Sequence, residues 1–399
     1  MAVVTPEDTE ILHGNKAHSD GGWDAAGKGF VPVQTRSGRF ASVDPTAFAD
    51  VTGLEAEWKL TPLALVKPLI VGDLDGSTYE YVATDAIGAT VEWVERTDSR
   101  IGTTGTPEEK ASANAWSSFE RALAITVSND EHVELTVARS SLGGSARAGH
   151  TIIEARPNSV ATVILQNGGA ALLSENVEII VGDGARLTVV SVQEWDEDAI
   201  HLSSHFVTVG RDARLKHIVV SLGGKVVRLN PSAHLIDQGA DAELFGLYFA
   251  DAGQHLEQRV YVEHVAPHTR SRVNYKGALN GQGAHTVWVG DVLIGTKASG
   301  TDTYEQNRNL VLSEGTRADS VPNLEIETGD ILGAGHASAT GRFDDEQLFY
   351  LQARGISERE ARRLVVLGFL SEIVQKVDAG ALRDRLAVAI EAELAGVAS

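Results

Sequence analysis

From about Ala115 to Leu332 apolar and polar residues alternate in short runs, such as Val133-Glu134-Leu135-Thr136-Val137, Val177-Glu178-Ile179-Ile180-Val181 and Leu187-Thr188-Val189-Val190, cut by Gly, Asp and Asn. A period of two bounded by turn residues predicts strands. A small-residue corner precedes a strand each time at Ser159-Val160-Ala161, Gly184-Ala185-Arg186, Asp212-Ala213-Arg214, Gly239-Ala240-Asp241 and His268-Thr269-Arg270, and Ala185, Ala213 and Ala240 are 28 and 27 residues apart. A period in the twenties predicts a solenoid, in which each turn buries its apolar face only by stacking on the next, and a parallel β-helix fits best. A β-sandwich or barrel with as many strands is the competing architecture.

The last sixty residues change to helical spacing. Asp344 or Asp345 can cap a helix through Glu346, Leu348, Phe349 and Leu351 that stops at Gly355. Ser357 with Glu360 makes a capping box for a second helix carrying Ala361, Leu364, Val365, Leu367, Ile373, Val374 and Val377. After Ala379-Gly380, Leu382, Leu386, Ile390 and Leu394 recur every fourth residue and predict a third. Such an appendage has a limited core of its own, so part of its apolar surface is a candidate for docking another protein. Before the strands, prolines at 32, 45, 62 and 68 favour brief elements, residues 102–110 read as a connection and residues 1 to about 30 as a loose leader. The expected division is 1–110, a helical N-terminal region with its leader; 111–335, the β-helix; and 336–399, a helical domain.

The net charge of −21 disfavours nucleic acid and anionic membranes as partners, and no apolar run reaches the roughly 20 residues of a membrane span. With acids rather than a basic segment at the N-terminus, a soluble cytoplasmic protein is expected. The chain has no cysteine, which removes disulfides, thiolate nucleophiles and a self-contained thiolate-ligated cluster. Gly22–Lys28 satisfies GxxxxGK but is followed by Gly29 where a phosphate loop needs Ser or Thr for magnesium, so ATP hydrolysis by this chain is not expected. The pairs His201/His205 and His264/His268 have metal-compatible spacing, but Pro267 argues against a shared helix for the second. His336, among the small residues of Leu332-Gly333-Ala334-Gly335-His336-Ala337-Ser338, is open to a partner's backbone or to a metal, and neutral imidazole is a good iron ligand. Packing at an interface is the alternative role. Glu325, Glu327 and Asp330 lie just upstream and read as a solvated edge.

The stretch from Gly335-His336-Ala337-Ser338-Ala339-Thr340-Gly341 through Arg354-Gly355-Ile356 resembles the C-terminal signature of the SufB/SufD family of iron–sulfur cluster assembly scaffolds. Gln306–Ser313, Pro322–Ile326 and Glu57-Trp58-Lys59-Leu60-Thr61-Pro62-Leu63 resemble further family motifs. Within the family, the absence of the cysteines that receive sulfur and hold the nascent cluster places the chain on the SufD-like side. The resemblance implies a mainly β fold: a right-handed parallel β-helix flanked by N- and C-terminal helical regions. It also implies SufB as a partner at the end of that core and the ATPase SufC as a partner at the C-terminal helices, where Asp344, Gln347, Leu348, Phe349, Tyr350, Arg354, Leu364 and Phe369 are the implied contact residues. His336 matches the family's interface histidine, implicated in iron entry or cluster ligation; where many relatives have Cys and Ser before it, this chain has Ala334 and Gly335. The implied role is a non-catalytic scaffold that binds no cofactor when isolated and shares a transient iron or Fe–S cluster with SufB; whether the isolated chain forms a homodimer is left open by the sequence. A β-helix carbohydrate-active lyase or hydrolase and a homomeric structural protein are the other classes that fit this architecture.

Overall fold

The computed structural model describes residues 38–140, 142–343 and 345–396. The expected leader, the Gly22–Lys28 stretch, Asp344 and the side chain of Gln347 lie outside the described residues. Two nine-stranded sheets carry the architecture. The first, the even sheet, runs β1 (Val82–Ala83), β4 (Val133–Ser140), β6 (Val160–Gly169), β8 (Arg186–Trp195), β10 (Arg214–Ser221), β12 (Asp241–Ala250), β14 (Arg270–Leu279), β16 (Thr301–Val311) and β18 (Ile331–Arg342). The odd sheet runs β2 (Ala89–Glu95), β3 (Arg121–Val127), β5 (Gly143–Ala155), β7 (Ala171–Val181), β9 (Ile200–Val209), β11 (Val226–Leu235), β13 (His255–His264), β15 (His285–Ile294) and β17 (Arg317–Ile326). From β3 onward the chain crosses to the other sheet with every strand, and from β5 onward each strand pairs in parallel with the strand two before it. The result is a parallel β-solenoid of about eight turns. Among the described residues only β1 on β4 and β2 on β3 are antiparallel, at the N-terminal end of the solenoid.

The recurring small-residue corner is a physical column. Asn158, Gly184, Asp212, Gly239, His268 and Gly300 all have φ between 54° and 77°, and each is followed by a buried small residue: Ser159, Ala185, Ala213, Ala240, Thr269 or Thr301. A left-handed residue turns the chain sharply, and only a small side chain fits inside the corner. Successive corners are tied by backbone bonds, with Arg214 N donating to Ala185 O at 2.8 Å and Asp241 N to Ala213 O at 3.0 Å.

Inside the solenoid, residues facing each other across neighbouring strands are matched in size. Gly246 on β12 is in register with Tyr275 on β14, and Tyr248 with Gly277. A Cβ at Gly246 would come within 2.0 Å of the Tyr275 ring, and one at Gly277 within 1.9 Å of Tyr248. Gly246→Ala is therefore expected to destabilise the protein by about 1–3 kcal/mol, as overpacked cores do, and a urea midpoint equal to wild type would contradict that packing.

Helices cover both outer faces. Helices α1 (Leu63–Val71) and α2 (Lys110–Ser118) lie on the odd sheet, where Val66, Leu69, Ile70 and Ala111 pack with Leu202 and Val226. Residue 115, expected near the start of the strands, belongs to α2; the Ala-rich run Lys110–Ser118 buries Ala111, Ala113, Ala115 and Trp116. Three C-terminal helices, α3 (Asp345–Gln352), α4 (Glu358–Val374) and α5 (Gly380–Gly396), follow the solenoid. Gly355 takes φ 85° between α3 and α4, and Ser357 Oγ accepts from Glu360 N at 3.3 Å, as the spacing of these residues requires. The stripes Ala361, Val366, Leu370, Ile373, Val374 and Leu382, Leu386, Ile390, Leu394 form one core with Ile218, Val220, Phe245, Leu247 and Phe249 on the outside of the even sheet. The last strand continues to Arg342, past the expected boundary at 335, because Gly333, Gly335, Ala337 and Ala339 carry too little side chain to reveal a strand by alternation.

Candidate functional site

Both sheets end at the C-terminal rim of the solenoid. Strands β17 and β18 are last in their sheets, and among the described residues each is paired on one side only. On β16 the buried positions are Thr301, Thr303, Glu305, Asn307 and Asn309, alternating with more exposed neighbours, so a column of polar side chains faces the interior. Each continues onto β18 by register: Glu305 opposite His336, Asn307 opposite Ser338 and Asn309 opposite Thr340. The interior is open at this last turn, and the His336 side chain is 43% exposed whereas that of Glu305, one turn below, is 1% exposed.

The polar column is tied to the tyrosines beneath it. Asn307 Nδ2 donates to Tyr248 Oη at 2.7 Å, Tyr248 Oη donates to Asn309 Oδ1 at 2.8 Å, and Asn307 Oδ1 accepts from Ser320 Oγ at 2.6 Å and Asn309 Nδ2 at 2.8 Å. Burial drives the phenols of Tyr248 and Tyr275 far above the ordinary tyrosine range, so both remain neutral.

Glu305 stands apart from this satisfied network. Neither of its carboxylate oxygens receives a hydrogen bond of normal geometry, although the backbone N–H of Asn323 is near enough to favour the charged form slightly. Burial, and then repulsion from Asp291, push its carboxyl up to about 8. Asp291 itself is held by Asn323 Nδ2 at 2.6 Å. The Glu305 side chain reaches across the interior to β15, where a Cβ at Gly290 would lie 2.4 Å from Oε2. The Nδ1 of His336 lies 3.8 Å from Oε1. Among the acids, then, the structure places Glu305 on His336.

The two histidine pairs do not converge. In β9, His201 accepts or donates toward Glu175 at 2.8 Å and Gln193 at 2.9 Å, while His205 lies 2.9 Å from His217 on β10. All three are buried inside the solenoid, where desolvation lowers their pKa values, that of His205 to about 4, and Arg139 holds Glu175 ionised beside them. His264 is buried between Thr269 and Ser271, whereas His268 is an exposed left-handed corner residue. Among the described residues no group of three or more His, Cys, Asp or Glu side chains is arranged to hold a metal. No described helix is long and apolar enough to cross a membrane.

The expected docking residues fall into two sets. Phe349 and Tyr350 are 73% and 55% exposed, Arg354 stacks on Tyr350 at 4.3 Å, and Leu364 is partly open. Leu348 is buried, and Phe369 packs inward with its ring 4.6 Å from Lys276 Nζ, which also donates to the Phe369 carbonyl at 3.0 Å.

Residues 137–369 match the family model described as SUF system FeS cluster assembly, SufBD core domain. The chain belongs to the SufBD family. It is 48% identical over 365 residues to an iron–sulfur cluster assembly SufBD family protein of Mycobacterium bovis, covering 89% of this chain and 92% of that one. A protein of the same description from Mycobacterium leprae is 48% identical over 366 residues, covering 89% and 93%. One from Staphylococcus epidermidis is 28% identical over 208 residues, covering 52% and 44%.

The matched SufBD core runs from the middle of β4 into α4, so it takes in His336, Glu305, α3 and the first part of α4, while α1, α2 and α5 lie outside it. The tryptophan motif lies outside it and docks on the odd sheet's outer face: Trp58 is buried under the Arg228 guanidinium at 4.2 Å, and Thr61 Oγ1 donates to Glu257 at 2.8 Å. Sequence reasoning singled out His336 but not Glu305. The available signal was the alternation Thr303, Glu305, Asn307, Asn309, which in a SufBD solenoid puts every second residue inside.

Proposed function

We propose that the chain is a SufD-like, non-catalytic scaffold that pairs with SufB through the β17–β18 rim, docks the SufC ATPase on its C-terminal helices and presents His336 to iron or a nascent cluster at the shared boundary. The observation that supports this best is the half-exposed imidazole on the last, one-sidedly paired strand of a chain without cysteine. Cluster irons take thiolates, so a subunit without them offers nitrogen or oxygen ligands and its partner supplies sulfur. A free parallel edge supplies the backbone donors and acceptors for strand-to-strand pairing. On the helical side, Phe349, Tyr350, Arg354 and Leu364 make an aromatic and cationic patch of the kind that anchors protein interfaces.

The test is co-expression with SufB and SufC followed by anaerobic purification and iron and sulfide analysis. The three chains are expected to co-purify, and His336→Ala is expected to lower the cluster content by about tenfold, the effect typical of losing support at a metal site, with the complex intact. Failure to co-purify would refute the scaffold assignment, and unchanged cluster content in the variant would remove the ligand role.

A further inference from the structure

Glu305 is a buried carboxylate without a hydrogen-bonded cation or a donor of good geometry, a condition that folded proteins avoid unless the group has another use. Nothing in the packing demands it, since the neighbouring interior positions of β16 are neutral Thr303 and Asn307, both satisfied through hydrogen bonds. Its orientation is set by the fold. The absent side chain at Gly290 leaves the slot that Oε2 occupies, and register with β18 leaves Oε1 facing Nδ1 of the half-exposed His336.

We propose that Glu305 and His336 together form a two-donor site for a divalent transition cation at the open end of the solenoid. The inference rests on the proposed scaffold role and adds to it a second protein donor, a carboxylate, beneath the histidine. An oxygen and an imidazole nitrogen 3.8 Å apart can share one cation at bond lengths of about 2.0–2.2 Å each. An imidazole with a carboxylate suits borderline metals such as ferrous iron, cobalt and zinc, and the rest of the coordination sphere is left to water or to a partner's ligands. The burial of Glu305 has a further consequence: a cation bound there gives its carboxylate the partner that the fold itself does not supply, so the site has a second donor besides His336.

The experiment uses the full chain, isolated and treated with chelator, and titrates it with cobalt(II) chloride while recording the d–d absorption that reports nitrogen and oxygen ligation. The wild type is expected to bind one equivalent, and Glu305→Gln and His336→Ala are each expected to weaken binding by at least tenfold, which is about 1.4 kcal/mol. Circular dichroism and the thermal midpoint check that Glu305→Gln keeps the fold; the change removes the carboxyl donor without altering shape. Cobalt affinity and spectrum unchanged in Glu305→Gln would overturn the proposal, as would a wild type with no stoichiometric cobalt site. Co-purification with SufB and SufC is read separately. A Glu305→Gln chain that assembles normally but has lost cobalt supports the site, and a chain that binds cobalt through both residues but fails to assemble refutes the scaffold role alone.

Discussion

Replacing Arg228 with alanine is expected to destabilise the protein by about 3–5 kcal/mol, the range for breaking one side of a buried ion pair. The guanidinium is 1% exposed and lies between two buried carboxylates, 2.6 Å from Glu109 and 3.2 Å from Glu257, over the Trp58 ring, while donating to the Glu57 carbonyl at 3.0 Å. Glu257 is also held by Arg259, by His255 at 2.9 Å and by Thr61. Glu109 has no comparable second cation among the described contacts, and its side chain faces Arg228 instead of capping α2. The variant strands that carboxylate and unfastens the N-terminal segment from β11 and β13. A double-mutant cycle of Arg228→Met with Glu109→Gln, read by chemical denaturation, isolates the pair, and a coupling below about 0.5 kcal/mol would contradict it.

The same cluster fixes the behaviour in acid. Its neighbouring arginines hold Glu257 well below the ordinary carboxylate value despite its burial. A depressed folded pKa means that this stabilisation is complete above the unfolded value of about 4.5 and is lost as pH falls below it. The Arg228→Ala variant, already lacking part of that attraction, should therefore show a shallower loss of stability on acidification than the wild type.

Glu305 gives the second large effect, with the opposite sign. Its carboxyl titrates near 8 in the folded protein against an ordinary 4.5, so between those values the folded chain keeps a proton that the unfolded chain releases. Folding stability from this group is complete below pH 4.5 and is lost as pH rises toward 8, at up to about 1.4 kcal/mol per pH unit. In metal-free protein Glu305→Gln is expected to be nearly neutral at pH 5 and to stabilise by a few kcal/mol at pH 8. The titratable groups that face Glu305 are Asp291 and His336, and neither is changed by the substitution. Parallel stability–pH curves for variant and wild type would show that the carboxyl is ionised in the fold. With cobalt(II) present the wild type should recover the difference, because only its carboxylate can be compensated.

Much of the architecture was legible from local rules. The 28- and 27-residue spacing of Ala185, Ala213 and Ala240 reports the circumference of one solenoid turn, because only a small residue fits each corner. Gly355 and the Ser357–Glu360 pair mark helix ends for equally local reasons. The β18 strand was cut short because the small residues around His336 erase the alternation by which strands are found. Leu348 and Phe369, implied contact residues by resemblance, are packed with the core on the outside of the even sheet, whereas Phe349 and Tyr350 are open, because an apolar stripe states that it will be covered but not by what.

By itself, then, the sequence determined the repeat, the strand and helix types, the absence of thiolates and the distinctness of His336, since each depends on residues close together in the chain or on composition. Tertiary structure alone decided that Glu305 lies against His336, that Arg228 joins α2 to β13, and that the C-terminal stripes lie on the even sheet. These pairings depend on how many residues each turn takes to close and on which face each strand presents. Register converts small differences in turn length into contacts between residues that nothing in their own neighbourhoods connects.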